Sequence, residues 1–113
     1  MNSRSQFNPR KPSYPLSLVK ELVNSSSFAI THNAIRQAET DFGWKRGEIV
    51  RAFQRLKGGD FYKTEQKYDG PPGVMVDYYK ARSLMGEQVY THFRVESGDS
   101  GEKLLVICSF KRI

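Results

Sequence analysis

The sequence predicts an α+β domain in which N-terminal helices pack on a C-terminal antiparallel β-sheet. Three observations predict it. Apolar residues recur at helical spacing up to residue 57. From residue 60 onward, β-branched and aromatic residues alternate with polar ones. Clusters of Gly, Pro, Asp and Ser divide this second half into short segments. Helices followed by strands are typical of a two-layer α+β domain, and 113 residues allow one core.

The N-terminal residues 1–14 are basic and lack the apolar stretch that a secretory signal requires. We expect them to form a mobile arm, followed by a single domain over residues 15–113. No segment is apolar over the length of a membrane span, and Cys108 is the only cysteine. We therefore expect no membrane contact and a cytoplasmic location.

Three helices are predicted after the arm. The first has four apolar residues on one face: Leu18, Val19, Leu22 and Val23. The second begins after Thr31, a good N-cap, and ends at Gly43. The third runs from Trp44 or Lys45 to Lys57, where Gly58-Gly59 provides a stop. Its many cations form either a solvated helix face or a surface that contacts RNA.

Four strands are predicted in the second half, and their short connections favour an antiparallel meander. They run approximately from Phe61 to Tyr68, Val74 to Leu84, Glu87 to Glu96 and Lys103 to Lys111. The segment Phe28–Ile30 is also compatible with an extended conformation. In the last strand, alternation puts Phe110 with Val106 on one face, and Lys111 with Ile107 on the other.

The charge balance narrows the class of ligand. Lys and Arg number 18 against 12 Asp and Glu, so the net charge of +6 attracts polyanions, with nucleic acid the leading candidate. A modest excess of Lys that only keeps the protein soluble is the alternative. The sequence has no Cys/His cluster for zinc, no grouped carboxylates for magnesium and no glycine-rich phosphate loop. We therefore expect no metal or cofactor.

The third predicted strand carries the strongest functional pattern. Tyr90, His92 and Arg94 alternate with apolar residues, so they share one face of the sheet. Their side chains recur at about 6.5 to 7 Å, close to the spacing of phosphates along a nucleic-acid strand. Cleavage of RNA without a metal needs a base, an acid and cations around the phosphate. His92 has the right chemistry for the base or the acid.

Basic and aromatic residues on all of the predicted strands extend this surface, because RNA binding combines base stacking with neutralisation of phosphates. The predicted RNA-binding residues are Tyr62, Tyr79, Lys80, Arg82 and Arg94. Lys63 and Lys111 are two further cations for the same polar surface.

Four segments resemble the MqsR family of bacterial toxins. They are Asp60–Thr64, Asp77–Lys80, Gln88–Tyr90 and Val106–Lys111, and the likeness extends in order from about Leu16 to the C-terminus. The resemblance implies a RelE-like α+β fold and ribosome-independent endoribonuclease activity on single-stranded mRNA, which arrests growth. It also implies a cognate antitoxin that neutralises the toxin and represses the operon, so that operator DNA is contacted only indirectly, through the antitoxin.

The resemblance also assigns site residues. The family's active-site lysine, tyrosine and C-terminal lysine fall on Lys63, Tyr90 and Lys111, which match. Its glutamine falls on Val76, which cannot form a hydrogen bond, and His92 stands where a lysine is familiar.

The hypothesis is metal-independent cleavage that leaves a 2′,3′-cyclic phosphate, with His92 or a Lys63 of lowered pKa as the base. Two alternatives stay open. One is a non-catalytic nucleic-acid-binding module, and the other is a degenerate toxin that only binds its antitoxin.

Overall fold

The structure is a computed structural model that describes residues 10–66 and 73–113. Within these residues three helices accompany one sheet of five strands, in the order β1-β5-β4-β3-β2. The helices are α1 (Leu16–Asn24), α2 (His32–Phe42) and α3 (Arg46–Arg55). The strands are β1 (Phe28–Ile30), β2 (Phe61–Gln66), β3 (Met75–Leu84), β4 (Glu87–Ser97) and β5 (Lys103–Arg112). The predicted α+β fold class is confirmed.

The sheet is mixed, which corrects the prediction of a wholly antiparallel sheet. β2, β3, β4 and β5 form the expected antiparallel meander. β1, however, pairs in parallel with β5, with Phe28 opposite Leu105. Three residues are too few to display a strand period, so the sequence pattern could not reveal this pairing. The predicted end of the first strand at Tyr68 lies outside the described residues.

The helix boundaries follow local chemistry. The Thr31 side chain accepts a hydrogen bond from the Ala34 amide (3.2 Å) at the start of α2, and Gly43 ends the helix with φ of +71°. α3 stops at Arg55, earlier than predicted. Leu56 adopts an extended conformation and is only 1% exposed, so its burial in the core takes the chain out of the helix before Gly58.

The core lies between the helices and one face of the sheet, here called the inner face. Tyr79 and Phe93 stack with their ring centroids 5.5 Å apart. Phe53 of α3 meets Phe93 edge-on at 5.5 Å and lies 6.2 Å from Phe110. These aromatic contacts hold α3 against the middle of the sheet, and the opposite, outer face is left for polar side chains.

A β-bulge at Cys108 changes the predicted faces of β5. Phe93 pairs with Ile107, whereas the preceding His92 pairs with Ser109, so Cys108 is the extra residue. The bulge reverses the alternation beyond it. Phe110 is therefore buried in the core with Ile107, which corrects the face predicted for it, and the next residue, Lys111, lies on the outer face opposite Tyr90.

The N-terminal segment is held against the sheet from Ser13 onward. The backbone amides of Ser13 and Tyr14 each donate to the buried carboxylate of Asp77 at 2.9 Å, and the Tyr14 hydroxyl donates to the Met75 carbonyl at 2.7 Å. The predicted arm included these two residues, which are instead hydrogen-bonded to β3. Residues 1–9 of the predicted arm lie outside the described residues.

Candidate active site on the outer face of the sheet

Three aromatic side chains meet on the outer face of β3 and β4. Tyr78 pairs with His92 across the strands, and their rings are 4.9 Å apart. Tyr90 completes the cluster at 6.3 Å from the Tyr78 ring and 5.6 Å from the His92 ring. All three side chains are partly exposed. The alternation of β4 correctly predicted that Tyr90 and His92 share a face.

Tyr90 and His92 are joined by a hydrogen bond between the phenol oxygen and Nδ1, at 2.9 Å. Burial raises the pKa of Tyr90 to about 12, so the phenol keeps its proton at neutral pH. When neutral His92 carries its proton on Nε2, the phenol donates to Nδ1, and when it carries the proton on Nδ1, the ring donates to the phenol oxygen. When His92 is protonated at both nitrogens, Nδ1 donates and the phenol oxygen accepts. The hydrogen bond can therefore support either charge state of the imidazole.

Three lysines surround the aromatic cluster. The Nζ atom of Lys63 lies 4.8 Å from the centre of the Tyr78 ring, and that of Lys111 lies 5.2 Å from the Tyr90 ring. Lys80 Nζ lies 4.0 Å over the exposed ring of Tyr62. Aromatic faces attract cations, so these contacts direct positive charge along the outer face. The structure therefore brings together all four predicted catalytic residues, since Lys63 and Lys111 flank the Tyr90–His92 pair.

The ion pair of Lys63 indicates which role it can perform. Its Nζ atom lies 3.0 Å from a carboxylate oxygen of Glu65. The hydrogen bond to Glu65 raises the pKa of Lys63. A lysine acting as a base needs the opposite shift. The predicted lowering of the Lys63 pKa is therefore contradicted, and the side chain remains a cation. Of the two candidate bases, His92 is the better one.

The prediction that Tyr79 binds RNA is wrong. Tyr79 is 0% exposed, because its ring stacks on Phe93 in the core, so it cannot reach RNA at the surface. Its neighbour Tyr78 lies on the outer face, and sequence reasoning did not select it as a site residue. Strict alternation along β3 contained the signal, since Tyr79 is in phase with buried Ala81, and Tyr78 with Lys80.

Arg94 and Arg82, the two arginines predicted to bind RNA, lie on β4 and β3 in different surroundings. Arg94, two residues after His92, is held by Glu96 through Nε at 3.0 Å and Nη2 at 2.7 Å, while Nη1 donates to the Cys108 sulfur at 3.1 Å. An RNA phosphate would have to compete with these contacts. Arg82 is exposed and follows the last regular pair of β3 and β4, where the register shifts.

Val76 lies on the same face of β3 as Tyr78, two residues earlier, and pairs with Glu65. It is 5% exposed. The position that the resemblance assigns to the family's glutamine is therefore apolar and buried, and the Val76 side chain supplies no hydrogen bond to the site.

The cations of α3 form a second basic surface on the helical side of the sheet. Arg51 pairs with Glu48 at 3.2 Å, Lys45 pairs with Glu39, and the guanidinium of Arg46 lies 4.6 Å over the Phe28 ring. Part of the positive charge on this side is therefore held in ion pairs and in a cation–π contact. The prediction that this helix contacts RNA stays a prediction.

Two features of the rest of the molecule bear on its chemistry. Across residues 10–66 and 73–113, no group of three or more His, Cys, Asp or Glu side chains converges as a metal site. None of the helices described there is both long and apolar enough to cross a membrane.

Comparison with known proteins assigns the chain to a family. The family model described as "Motility quorum-sensing regulator, toxin of MqsA" matches residues 11–112. The match covers nearly the whole chain, including every residue of the outer-face cluster. No curated protein matches the chain.

Proposed function

The chain belongs to the MqsR toxin family, and from that premise we propose that it is an endoribonuclease that cleaves single-stranded mRNA at the outer face of its sheet. It is the toxin of a toxin–antitoxin pair. The observation that supports the activity best is the hydrogen-bonded pair of Tyr90 and His92, with Lys63 and Lys111 beside it. A proton acceptor with flanking cations is what transfer of a phosphate ester requires.

The proposed reaction begins at the RNA 2′-hydroxyl. His92 removes its proton, and the 2′-oxygen attacks the adjacent phosphorus in line with the 5′-oxygen. For this step the neutral imidazole carries its hydrogen on Nδ1 and donates it to the Tyr90 phenol oxygen, so that Nε2 is free to take the proton. The bond from phosphorus to the 5′-oxygen then breaks, which leaves a 2′,3′-cyclic phosphate and a 5′-hydroxyl.

The lysines stabilise the negative charge that develops on the phosphate oxygens. Lys63 and Lys111 approach the cluster from opposite neighbouring strands, β2 and β5, so a phosphate over Tyr90 and His92 has a cation on each side. The departing 5′-oxygen needs a proton, and the ammonium groups of these lysines are the acids at hand. No step requires a metal ion or the ribosome.

Tyr62 and Lys80 extend the site for RNA binding. The Tyr62 side chain is 50% exposed and is flanked by both Lys63 and Lys80. Stacking of a base on an exposed ring, with cations for the neighbouring phosphates, is a general mode of single-strand binding. In the cell, cleavage of mRNA in the cytoplasm arrests growth, and the antitoxin both neutralises the toxin and represses the operon.

The activity is tested with purified protein, an end-labelled single-stranded RNA and excess EDTA. We expect cleavage at defined bonds, with 2′,3′-cyclic phosphate ends on the 5′ fragments. Lys63→Ala and Lys111→Ala should each slow cleavage by about tenfold to a hundredfold, because each removes a cation from the developing charge. Lys103→Ala removes an equal charge from an exposed position at the far end of β5 and serves as the matched control.

The outcomes separate the proposal from its rivals. RNA that binds but remains intact at a large excess of protein indicates a non-catalytic binding module. Protein that neither binds nor cleaves RNA, yet still binds its antitoxin, indicates a degenerate toxin. This alternative is considered because Val76 occupies the position that the resemblance assigns to the family's glutamine. Either result would overturn the proposed cleavage.

A further inference from the structure

The outer face of the sheet continues past Lys111 into a cleft beside α2. The cleft has a volume of about 410 Å³ and is lined by Asn33, Arg36, Gln37, Thr40, Asp41 and Lys111. Lys111 lines the cleft from β5, and its Nζ atom also lies 5.2 Å from the centre of the Tyr90 ring. The cleft is therefore continuous with the proposed cleavage site.

Side chains of α2 close the edge of β5 beyond the end of β1, and this contact gives the cleft a rigid base. β1 pairs with β5 only as far as Ile107. Further along β5, the Phe110 amide donates to the Gln37 side-chain oxygen at 2.9 Å. The Arg112 amide donates to Asp41 Oδ2, also at 2.9 Å. α2 therefore takes the place of a neighbouring strand, and the cleft lies between two regular elements.

The charge of the lining favours an anion. Arg36 and Lys111 contribute two positive charges, and Asp41 contributes one negative charge. Within the part of the chain that the structure describes, neither Arg36 nor Lys111 forms an ion pair. Lys63, on the other side of the aromatic cluster, is in contrast paired with Glu65. The two cations of the cleft therefore remain available to an anionic ligand.

We infer that this cleft binds an RNA phosphate within two nucleotides of the cleaved bond, with Arg36 as its main cation. The inference rests on the proposed function. Neighbouring strands lie about 4.8 Å apart, which is less than the spacing of neighbouring phosphates. An RNA strand that crosses from β4 over β5 therefore reaches the cleft within two nucleotides. A guanidinium donates two parallel hydrogen bonds to a phosphate, which suits arginine to this position.

The position of Arg36 also indicates a path for the RNA across the sheet. Lys80 pairs with Tyr90, and Tyr90 pairs with Lys111, so these three residues form one row perpendicular to the strands. Tyr62, whose ring lies 4.0 Å from Lys80 Nζ, extends the row on β2. Arg36 extends it beyond β5. Contacts at both ends of the row hold the phosphate between them in position for cleavage.

The contact is located by neutralising one phosphate at a time in an RNA with one cleavable bond. Each phosphate except the cleaved one is replaced in turn with an uncharged methylphosphonate and compared with the ordinary phosphate. Both RNAs of a pair carry a 2′-O-methyl group on the ribose 5′ of that linkage, which keeps the methylphosphonate stable. For the wild type we expect neutralisation of a phosphate within two nucleotides of the cleaved bond to lower kcat/KM by about tenfold, as for one lost charged hydrogen bond.

Arg36→Ala identifies the phosphate that the cleft holds. Arg36 is exposed on α2 and Ala favours a helix, so the fold should be kept. We expect the variant to cleave unmodified RNA about tenfold more slowly. At the phosphate in the cleft, neutralisation and substitution remove the same interaction, so neutralisation should cost the variant no more than about a further twofold. At the other phosphates the two losses should multiply.

Two further variants separate charge from position. Arg36→Lys keeps the charge without the bidentate donor, so its loss on unmodified RNA should be smaller than that of Arg36→Ala. Lys103→Ala removes a charge from an exposed position at the far end of β5. It should cleave at the wild-type rate and respond to each neutralised phosphate as the wild type does.

Cleavage of unmodified RNA by Arg36→Ala at the wild-type rate would overturn the cleft as a phosphate site. Losses that multiply at every phosphate, or coupling only to a phosphate more than two nucleotides away, would overturn it as well. Failure of the wild type to cleave any RNA would instead overturn the proposed function. The same RNAs then report on binding, through fluorescence anisotropy. In that case the inference stands only if one neutralised phosphate weakens binding to the wild type and not to Arg36→Ala.

Discussion

The inner and outer faces of the sheet are built from neighbouring residues of the same strands, yet their chemistry is opposite. Tyr79 and Phe93 stack in the core, whereas the adjacent Tyr78 and His92 meet on the outer face among lysines. The buried Tyr79 hydroxyl has no hydrogen-bond partner among the described residues, while the Tyr90 hydroxyl holds an imidazole. One face therefore supports stability, and the other is free for chemistry.

Two bulges divide the residues between these faces. In β2 the register shifts between Phe61 and Lys63, so Phe61 packs on Tyr79 at 5.6 Å while both Tyr62 and Lys63 lie near the outer cations and rings. In β5 the bulge at Cys108 brings Lys111 to the same face. Bulges often redirect side chains beside functional sites, and here each one places a lysine beside the aromatic cluster.

The largest expected effect lies on the outer face. His92→Ala should reduce kcat/KM for RNA cleavage by about 10²- to 10⁴-fold, the usual contribution of a general base. Stability should change little because the side chain is partly exposed. His32→Ala changes the other histidine of the chain, which is exposed at the start of α2, and should cleave at the wild-type rate. Equal activity of the two variants would remove His92 from the mechanism.

On the inner face, the largest effect is expected at Asp77. Asp77→Ala should lower the free energy of unfolding by about 2 to 4 kcal/mol, because the amides of Ser13 and Tyr14 lose their acceptor. Urea unfolding followed by circular dichroism measures the change. Asp99→Ala, at an exposed loop position, is the control and should cost less than about 0.5 kcal/mol. A loss at Asp77 as small as the control's would show that these two hydrogen bonds contribute nothing measurable to stability.

A smaller effect is expected at the unpaired hydroxyl of the core. Tyr79→Phe removes a buried oxygen without a described partner, so the free energy of unfolding should rise by about 1 kcal/mol. RNA cleavage should stay within about twofold of the wild type because the residue does not reach the outer face. Destabilisation of the same size would mean that the hydroxyl has a partner. A large loss of cleavage would contradict the division between the faces.

The smallest effect appears only at alkaline pH. Burial raises the pKa of both Tyr79 and Tyr90 from 10.0 to about 12. Between these values the folded state keeps protons that the unfolded state releases, so the free energy of unfolding should fall as the pH rises through this window. Urea unfolding on both sides of pH 10 should show a shallower fall in a Tyr79→Phe/Tyr90→Phe double variant. A parallel fall in the wild type and the variant would assign the loss to other groups.

Regular patterns predicted most of the fold, and local irregularities caused the errors. Helical spacing and the caps Thr31 and Gly43 placed α2, and the alternation of β4 placed Tyr90 and His92 on one face. The bulge at Cys108 could not be predicted, because it depends on how β5 pairs with β4 rather than on its own residues. The three residues of β1 were too few for a period.

The candidate site was partly predictable for the same reason. Lys63 and Lys111 were selected by resemblance to a family, and the structure places them beside the Tyr90–His92 pair. Tyr79 was preferred to Tyr78 because the phase of β3 was not followed through Ala81. The docking of α2 against the edge of β5, where Gln37 and Asp41 accept hydrogen bonds from the Phe110 and Arg112 amides, could not be predicted because no local pattern encodes it.

The central claim, that the outer face cleaves RNA through the 2′-hydroxyl, is tested most directly by a single-atom change in the substrate. Once a cleaved bond has been mapped, the nucleotide on its 5′ side is replaced with its 2′-deoxy form in an otherwise identical RNA. We expect cleavage at that bond to be abolished, while the dissociation constant stays within about threefold because the phosphates that dominate binding are unchanged. Continued cleavage at the modified bond would contradict the mechanism.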